Sequence, residues 1–137
     1  MAQTAGYSGK PLAQKLGLKD GMQAAVIAAP EQYDALIDAF PVTHVPAPDR
    51  LEGDWAFLHL FCRETDDLEA GLALVFTHLA EGGMIWVSWP KKSSKLWRDM
   101  TEDDVRRVAL PMGLVDVKVC AVDADWSGLK LMRRKKG

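Results

Sequence analysis

Apolar runs alternate with amphipathic segments along most of the chain. Trp55–Phe61 and Met84–Trp89 are apolar almost throughout, which is typical of strands covered on both faces of a parallel sheet. Val115–Val122 instead alternates, as a half-buried strand does, and Ser127-Gly128 predicts a hairpin turn after it. The strands predicted in this way are Ala24–Ala29, Val42–Val45, Trp55–Phe61, Met84–Trp89, Val115–Val122 and Leu129–Met132.

Helical spacing separates these runs. Apolar residues recur at i, i+3, i+4 and i+7 after Pro30-Glu31, and they form one face of a helix that ends at Pro41. Asp66 with Glu69 resembles a capping box, and Thr101 with Asp104 gives a stronger one. The helices predicted in this way are Pro11–Leu16, Pro30–Phe40, Asp66–Leu79 and Thr101–Met112.

Strands that alternate with helices predict an α/β fold. The expected architecture is a single Rossmann-like domain over residues 1–137, a mostly parallel three-layer sandwich with a C-terminal antiparallel hairpin. Residues 1–9 are expected to form an extended N-terminal arm, and residues 133–137 a basic tail.

Composition, charge and residue spacing disfavour several classes of function. The chain has 137 residues and a net charge of −2, so no global basic field favours nucleic-acid binding. No apolar run is long enough for a membrane span, and no signal peptide is evident, which predicts a cytoplasmic location. The cysteines and histidines have no zinc-ligand spacing, so we expect neither a metal site nor a disulfide.

Polar and aromatic residues gather where the predicted strands end. In a parallel sheet the loops after these strands meet at one edge, where ligands bind. The N-terminal arm, with Tyr7 and Lys10, is expected to fold over the same edge. The candidate ligand-binding residues are therefore Tyr7, Lys10, Arg63, Ser88, Trp89, Lys91, Lys92, Ser93, Ser94, Asp123, Asp125, Trp126 and Ser127.

Each of these groups has two interpretations. The Lys91–Ser94 segment offers ammonium groups, hydroxyls and loop N–H groups to a phosphate or carboxylate, or it is a solvated loop whose lysines pair with Asp123 or Asp125. Trp89 and Trp126 either stack on a flat ligand or cap the core. His59, between two leucines, is expected to be a hydrogen-bonded core residue.

Three long strings carry a family resemblance. They are Tyr7-Ser8-Gly9-Lys10-Pro11-Leu12, Trp86-Val87-Ser88-Trp89-Pro90-Lys91-Lys92-Ser93-Ser94 and Gly113-Leu114-Val115-Asp116-Val117-Lys118-Val119-Cys120-Ala121-Val122-Asp123. With them the chain resembles an uncharacterised bacterial family catalogued as domain of unknown function 3052. The resemblance implies a small cytosolic bacterial protein.

A remoter resemblance is to the Rossmann-like fold of class I S-adenosylmethionine-dependent methyltransferases. It rests on Glu81-Gly82-Gly83 before a central strand and on the closing hairpin, and it implies the strand order 2-1-3-4-6-5. Those enzymes have a Gly-rich loop after the first strand and an acid that ends the second. Here Pro30 and Glu31 stand in the first loop and Pro46-Ala47-Pro48 in the second, so the resemblance allows S-adenosylmethionine as a cofactor but these residues disfavour it.

Two functions follow as hypotheses. The first is a non-catalytic or regulatory module that binds a small anionic or planar ligand, or a protein partner, at the carboxyl edge of the sheet. The alternative is a reduced S-adenosylmethionine-dependent methyltransferase-like transferase. A homodimer that uses a sheet edge or an aromatic such as Trp97 is a third reading of the same surfaces.

Overall fold

The computed structural model describes residues 10–135, which contain a six-stranded sheet with helices on both sides. The strands are β1 (Ala24–Ile27), β2 (Thr43–Val45), β3 (Trp55–Phe61), β4 (Leu79–Pro90), β5 (Leu114–Ala121) and β6 (Trp126–Arg133). The α-helices are α1 (Leu12–Leu16), α2 (Tyr33–Leu36), α3 (Thr65–Phe76) and α4 (Glu102–Ala109). Short 3-10 helices span Pro48–Arg50 and Leu110–Met112.

The order of strands across the sheet is β2-β1-β3-β4-β6-β5. β1 pairs in parallel with β2 and β3, and β3 pairs in parallel with β4. β6 is antiparallel to both of its neighbours, β4 and β5. This order confirms the predicted α/β fold with a C-terminal antiparallel hairpin. It brings the carboxyl ends of β1 to β5 to one edge of the sheet.

Two apolar clusters, one on each face of the sheet, make up the core. α3 and α4 pack on one face through Leu68, Leu72 and Val105, which are fully buried. α1 and α2 pack on the other face, where Leu16 and Tyr33 meet the inward side chains of β1, β3 and β4. The three predicted layers are confirmed.

The second helix is much shorter than the predicted Pro30–Phe40. It ends at Leu36, because Asp38 and Ala39 have left-handed backbone angles, with φ of 55° and 58°. The apolar spacing was nevertheless correct about burial, since Tyr33 and Ile37 are in the core. A helical pattern therefore marked the buried face of a segment that is helical only in part.

Of the two predicted capping boxes, one is confirmed and the other is wrong. Thr101 accepts a hydrogen bond from the Asp104 N–H and the Asp104 carboxylate bonds back to Thr101, which confirms the predicted capping box. The predicted box of Asp66 and Glu69 is wrong, because α3 begins at Thr65. The cap there is Asp99 from the β4–α4 loop, which accepts from the Thr65 N–H at 3.1 Å and from its hydroxyl at 2.8 Å.

The hairpin turns earlier than predicted. Ser127 and Gly128 lie within β6, and the turn is made by Val122–Asp125. The Asp123 carboxylate closes that turn by accepting from the N–H groups of Asp125 and Trp126, at 2.8 and 2.9 Å. A short polar side chain that bonds to the backbone two or three residues ahead is a common way to make such a turn.

The chain ends bear on two other predictions. The predicted arm, residues 1–9, and Lys136 of the basic tail lie outside the described residues. Arg133, the first residue of that tail, ends β6 and donates hydrogen bonds to the carbonyls of Leu79 and Ala80 at 2.6 and 3.0 Å. None of the helices within residues 10–135 has the length and hydropathy that a membrane span requires.

Candidate functional site

The strand order creates a switch point between β1 and β3. From β1 the chain crosses to β2 on one side, then returns to β3 on the other side. The crevice outside the carboxyl ends of two such strands is the place where open α/β sheets bind ligands. A cleft of about 660 Å³ lies there. This volume is within the range of about 300–1,000 Å³ that small-molecule sites occupy.

We call this feature the switch-point cleft. Its floor is formed by the residues that follow β1 and β3, one wall by the segment after β2, and the other by the start of β6 and the exposed side of α3. The lining residues are Ala28, Pro46, Ala47, Pro48, Asp49, Leu60, Phe61, Cys62, Arg63, Glu64, Asp66, Asp67, Ala70, Gly71, Leu74 and Trp126.

The small residues of α3 keep the cleft open. Ala70 and Gly71 stand where larger side chains would project into it. A β-carbon added at Gly71 would lie 3.4 Å from Pro48 and 3.5 Å from Leu60, so this part of the helix already touches the opposite wall. The sequence of α3 therefore sets both the width and the depth of the cleft.

The polar lining is mainly acidic. It contains the carboxylates of Asp49, Glu64, Asp66 and Asp67 and the guanidinium of Arg63. Glu64 is 3.4 Å from Arg98, whereas the other three carboxylates have no ion pair within residues 10–135. Asp66 and Asp67 also lie in the first turn of α3, where the helix dipole favours negative charge.

A guanidinium and an indole meet at the inner end of the cleft. The Arg63 Cζ lies over the Trp126 ring, 5.7 Å from its centroid, within cation–π distance. Phe61 packs edge-on against the same indole, with ring centroids 5.0 Å apart. The Trp126 side chain is buried, and its Nε1–H has no hydrogen-bond partner among residues 10–135. Such an orphaned donor costs free energy unless a further group accepts from it.

Cys62 is the thiol in the lining. It is buried, and burial together with the negative charge of Asp67 raises its pKa to about 12. A thiol with that pKa stays protonated at neutral pH, and the protonated form is a poor nucleophile. Cys62 therefore acts as an apolar wall of the cleft.

The floor of the cleft includes a strained backbone position. Ala28, the first residue after β1, has φ of 59°, which is the left-handed region that alanine rarely adopts. Its N–H donates to the Val45 carbonyl at 2.9 Å. The left-handed conformation turns the chain at Ala28, and Pro30 and Glu31, which follow, are not among the residues that line the cleft.

The predicted site residues fall into two groups. Arg63 and Trp126 line the switch-point cleft. Ser88–Ser94 and Asp123–Asp125 form a separate region beside it, which we call the β4 edge. Ser127 pairs with Trp89 and Ala121 inside the sheet. Lys10 is exposed at the start of the described chain, and Tyr7 lies outside it.

Ser88 belongs to a sealed polar trio. Its hydroxyl is 2.7 Å from His59 Nε2, and His59 Nδ1 is 2.9 Å from the Tyr33 hydroxyl. All three side chains are fully buried. Burial lowers the pKa of His59 to about 3, so the imidazole is neutral, and burial raises the pKa of Tyr33. The trio joins α2, β3 and β4 and has no route to solvent, as expected of a core histidine.

The rest of the β4 edge is held together by its own hydrogen bonds. The Ser94 hydroxyl donates to Asp125 Oδ1 at 2.8 Å, and the Lys91 N–H donates to the Asp125 carbonyl at 2.8 Å. Gln32 donates to the second oxygen of Asp123 at 3.0 Å. Lys92 is exposed and Lys91 half-buried, and no ion pair within residues 10–135 includes either. Trp89 packs in the core under α4.

Sequence reasoning missed most of the cleft. Asp49 was assigned only to a loop with Pro46 and Pro48, Asp66 only to helix capping, and Asp67 to no role. One signal was available, because the predicted order of strands already placed a switch point between the first and third strands. Reading the loops on both sides of that point for small and acidic residues would have located the cleft.

Several solved methyltransferase structures share this fold. The ribosomal protein L11 methylase from Lactobacillus delbrueckii subsp. bulgaricus matches with a TM-score of 0.60 and 10% identity, covering 90% of this chain and 76% of that one. The magnesium protoporphyrin IX methyltransferase from Synechocystis PCC 6803, with bound SAH, matches with a TM-score of 0.63 and 10% identity, covering 84% and 75%.

A putative type 11 methyltransferase from Sulfolobus solfataricus gives a TM-score of 0.52 and 16% identity, covering 83% of this chain and 72% of that one. At these identities the likeness shows the fold alone. No curated protein matches the chain in sequence. The family model described as "Protein of unknown function (DUF3052)" matches residues 52–135, which include β3 to β6.

Proposed function

We propose that this chain, which belongs to the DUF3052 family, is a binding module that holds a small, flat organic molecule in the switch-point cleft and does not transform it. The observation that carries the proposal is the cleft of about 660 Å³ at the crevice between β1 and β3. Its walls combine apolar side chains with a few polar groups, which is the usual make-up of a ligand pocket.

The aromatic end of the cleft supports a flat ligand. The buried Trp126 indole contacts Phe61 edge-on, and the Arg63 guanidinium lies over its ring. A planar molecule that enters the cleft meets the exposed side chain of Arg63, which covers the buried indole, together with Pro46 and Leu74 of the lining. A cation–π contact between that guanidinium and an aromatic ligand contributes about 0.5–1 kcal/mol at an exposed site.

The thiol, the imidazole and the serine hydroxyl near the cleft support binding without catalysis. A nucleophile or base must reach the reacting atom, within about 3 Å. The Cys62 thiol is protonated, and His59 and Ser88 are sealed in the core and bonded to each other. The remaining polar groups of the lining, the rim carboxylates and Arg63, suit recognition of a charged or polar ligand.

Filling the cleft tests the proposal. Ala70 is exposed and lines the switch-point cleft, whereas Ala73 is exposed on the same helix and lines the groove between α3 and α4. We expect Ala70→Phe to abolish the binding of flat fragments, measured by ¹H–¹⁵N NMR shifts at residues around the cleft, and Ala73→Phe to preserve it. Equal binding by both variants would place the ligand elsewhere, and a wild-type protein that binds no fragment would overturn the proposal.

The second candidate is the reduced methyltransferase-like transferase, which one observation favours. Asp49 follows β2 by four residues and lines the cleft, so an acid does stand near the end of that strand. The loop after β1 fits the cofactor less well, because Pro30 has no N–H to offer and Glu31 adds a negative charge. S-Adenosylmethionine would supply a transferable methyl group if it bound there.

Calorimetry separates the two candidates. Titration with S-adenosylmethionine and S-adenosylhomocysteine should give heat with wild type and Ala73→Phe, and none with Ala70→Phe, if the transferase reading is right. No heat at millimolar cofactor would eliminate that reading and leave the binding module in place.

A further inference from the structure

We infer that the outer edge of β5 binds an extended, acidic peptide segment of a partner protein, which adds to the sheet as a further strand. The inference goes beyond the proposed function, because none of the residues on which it rests lines the switch-point cleft. Three features carry it: an open strand edge, two exposed valines, and a group of lysines that form no ion pair within residues 10–135.

β5 is the outermost strand on its side of the sheet. Within residues 10–135 it pairs with β6 on one side and with no strand on the other. The backbone N–H and C=O groups on the unpaired side of such a strand are a template for another strand. β2, at the opposite edge, has three residues, whereas β5 has eight. Of the two edges, β5 is therefore the one that can hold a further strand.

A bulge divides β5 into a covered half and an exposed half. The register with β6 shifts between Asp116 and Lys118. Before the bulge, Leu114 is buried, and Asp116 accepts a hydrogen bond from Arg106 of α4 at 2.7 Å. After the bulge, most of the segment Val117–Ala121 is exposed. We call this segment the open segment of β5, because a partner strand can reach the edge there.

Three lysines give this edge its charge. Lys118 lies directly opposite Lys130 in the pair of β5 and β6, and like charges in such positions repel. Burial lowers the pKa of Lys130, and the positive charges of Lys118 and Lys19 lower it further. Within residues 10–135 no acid lies within ion-pair distance of any of the three. Carboxylates that approach from outside would relieve this repulsion.

The lysines and the valines face opposite sides of the sheet. Lys118 lies on the α1 side with Cys120, which packs against the core cluster of that side. Val119, between these two residues, points to the α4 side, because side chains alternate along a strand. Val117 and Val119 are 47% and 45% exposed. A peptide that alternates acidic and apolar residues therefore places acids beside Lys118 and apolar groups beside Val119.

A second copy of this chain fits the edge less well. Two copies that pair through β5 are related by a two-fold axis perpendicular to the sheet, which brings the lysines of both copies to the same side. Asp116, the acid of β5, cannot offset this repulsion, because it lies on the α4 side with Arg106. Lysines on an edge strand discourage such self-association, whereas an acidic strand turns the same charges into attraction.

Three synthetic peptides test the charge preference. Each has the sequence Ser-Val-X-Val-X-Val-Ser with blocked ends, and X is glutamate, glutamine or lysine. We expect the glutamate peptide to bind about fivefold more tightly than the glutamine peptide, since exposed charge pairs contribute modestly. The lysine peptide should bind weakest. Titration followed by ¹H–¹⁵N NMR measures the affinities and locates the site, with the largest shifts expected at Val117–Ala121.

A fourth peptide tests strand pairing itself. It repeats the glutamate sequence with every backbone amide N-methylated, so it keeps the charge and loses the hydrogen-bond donors of a strand. We expect it to cause no shift at Val117–Ala121. If it binds as tightly as the unmodified peptide, the lysines attract any anion and the inference of an added strand is overturned.

Two double variants with the same change in net charge locate the preference. Lys118→Gln/Lys130→Gln should lower the affinity for the glutamate peptide to that for the glutamine peptide. Arg50→Gln/Arg98→Gln, at exposed positions beside β2 and α3, should leave the preference intact. The ¹H–¹⁵N spectra of the free variants check that both are folded. High salt should reduce the preference in the wild type, because exposed charges are screened.

The other outcomes each contradict a named part of the inference. Equal affinity for the three peptides would overturn the acidic preference, and so would a preference that survives Lys118→Gln/Lys130→Gln. No binding of the glutamate peptide at millimolar concentration, or shifts only away from Val117–Ala121, would overturn the docking surface. If light scattering shows a dimer of the free chain whose dilution shifts Val117–Ala121, a second copy occupies the edge and the peptide is excluded.

Discussion

The switch-point cleft and the β4 edge lie along the same edge of one sheet, and their polar groups are used in opposite ways. At the β4 edge, Ser88 bonds to His59, Ser94 to Asp125 and Asp123 to Gln32. In the cleft, Asp66 and Asp67 have no ion pair within residues 10–135, and the Trp126 N–H has no partner there. Polar side chains that satisfy one another hold a fold together, whereas exposed ones without ion pairs, such as Asp66 and Asp67, remain available to a ligand.

The largest effect should be on the pH dependence of the free energy of unfolding, and it should come from the sealed trio of Tyr33, His59 and Ser88. His59 is neutral in the folded chain because burial lowers its pKa to about 3, below its ordinary value of 6.5. The unfolded chain takes up a proton at that ordinary pKa, so the free energy of unfolding should fall as pH drops from about 6.5 towards 3. The total loss is of the order of 5 kcal/mol at most. Urea unfolding between pH 7 and pH 5 measures its first part.

His59→Gln supplies the comparison, because glutamine does not titrate and removes this contribution to the pH dependence. His44→Gln, at an exposed position that bonds to Asp34, should preserve the slope attributed to His59. A wild-type stability that stays constant from pH 7 to pH 5 would show that the trio is open to water, and the contrast with the cleft would then be lost.

Ser88→Ala should give the next largest effect. It leaves one ring nitrogen of His59 buried without a partner, at a cost of about 1–3 kcal/mol. Ser93→Ala, which truncates an exposed serine five residues along the same edge, should change the free energy of unfolding by less than about 0.5 kcal/mol. Chemical unfolding of both variants at pH 7 gives the two values, and similar losses would contradict the structural role of Ser88.

The fold could be predicted because its signals are local. Trp55–Phe61 is apolar except for His59, so a doubly covered strand was the natural interpretation, and the order of strands followed from the resemblance to the methyltransferase fold. The end of α2 could not be predicted in the same way. Asp38 and Ala39 are exposed and adopt left-handed angles although neither is a glycine, and the Ala39 N–H closes the turn by donating to the Asp34 carbonyl at 2.7 Å.

The site was predicted only in part, because a cleft depends on which side chains are missing as well as on which are present. Arg63 and Trp126 were predicted from their places at strand ends, and both line the cleft. Ala70 keeps it open by being small, and a small exposed residue leaves no signal in a hydrophobic pattern. The hydrogen bonds of Ser88 and Asp125 could be identified only in the structure, because their partners are 29 and 31 residues away in sequence.

The smallest effect should come from substitution of Lys91 and Lys92, the residues on which the predicted anion site at the β4 edge depends. Lys91→Ala/Lys92→Ala should change stability by less than about 0.5 kcal/mol, since neither lysine forms an ion pair within residues 10–135. Arg50→Ala/Lys135→Ala removes the same charge from exposed positions elsewhere. Thermal shift with inorganic phosphate and acetyl phosphate then compares both variants with the wild type.

We expect inorganic phosphate and acetyl phosphate to shift the melting temperature of all three proteins equally, because the polar groups of the loop are already hydrogen-bonded. The Ser94 hydroxyl already donates to Asp125, and the carboxylate of that aspartate stands beside the loop that an anion would enter. An anion would have to displace this bond and accept the repulsion of the carboxylate. If phosphate stabilises the wild type and the Arg50→Ala/Lys135→Ala variant but not Lys91→Ala/Lys92→Ala, the loop binds anions as its sequence predicts. Both regions would then be ligand sites, and self-satisfied hydrogen bonds would no longer distinguish structure from function along this edge.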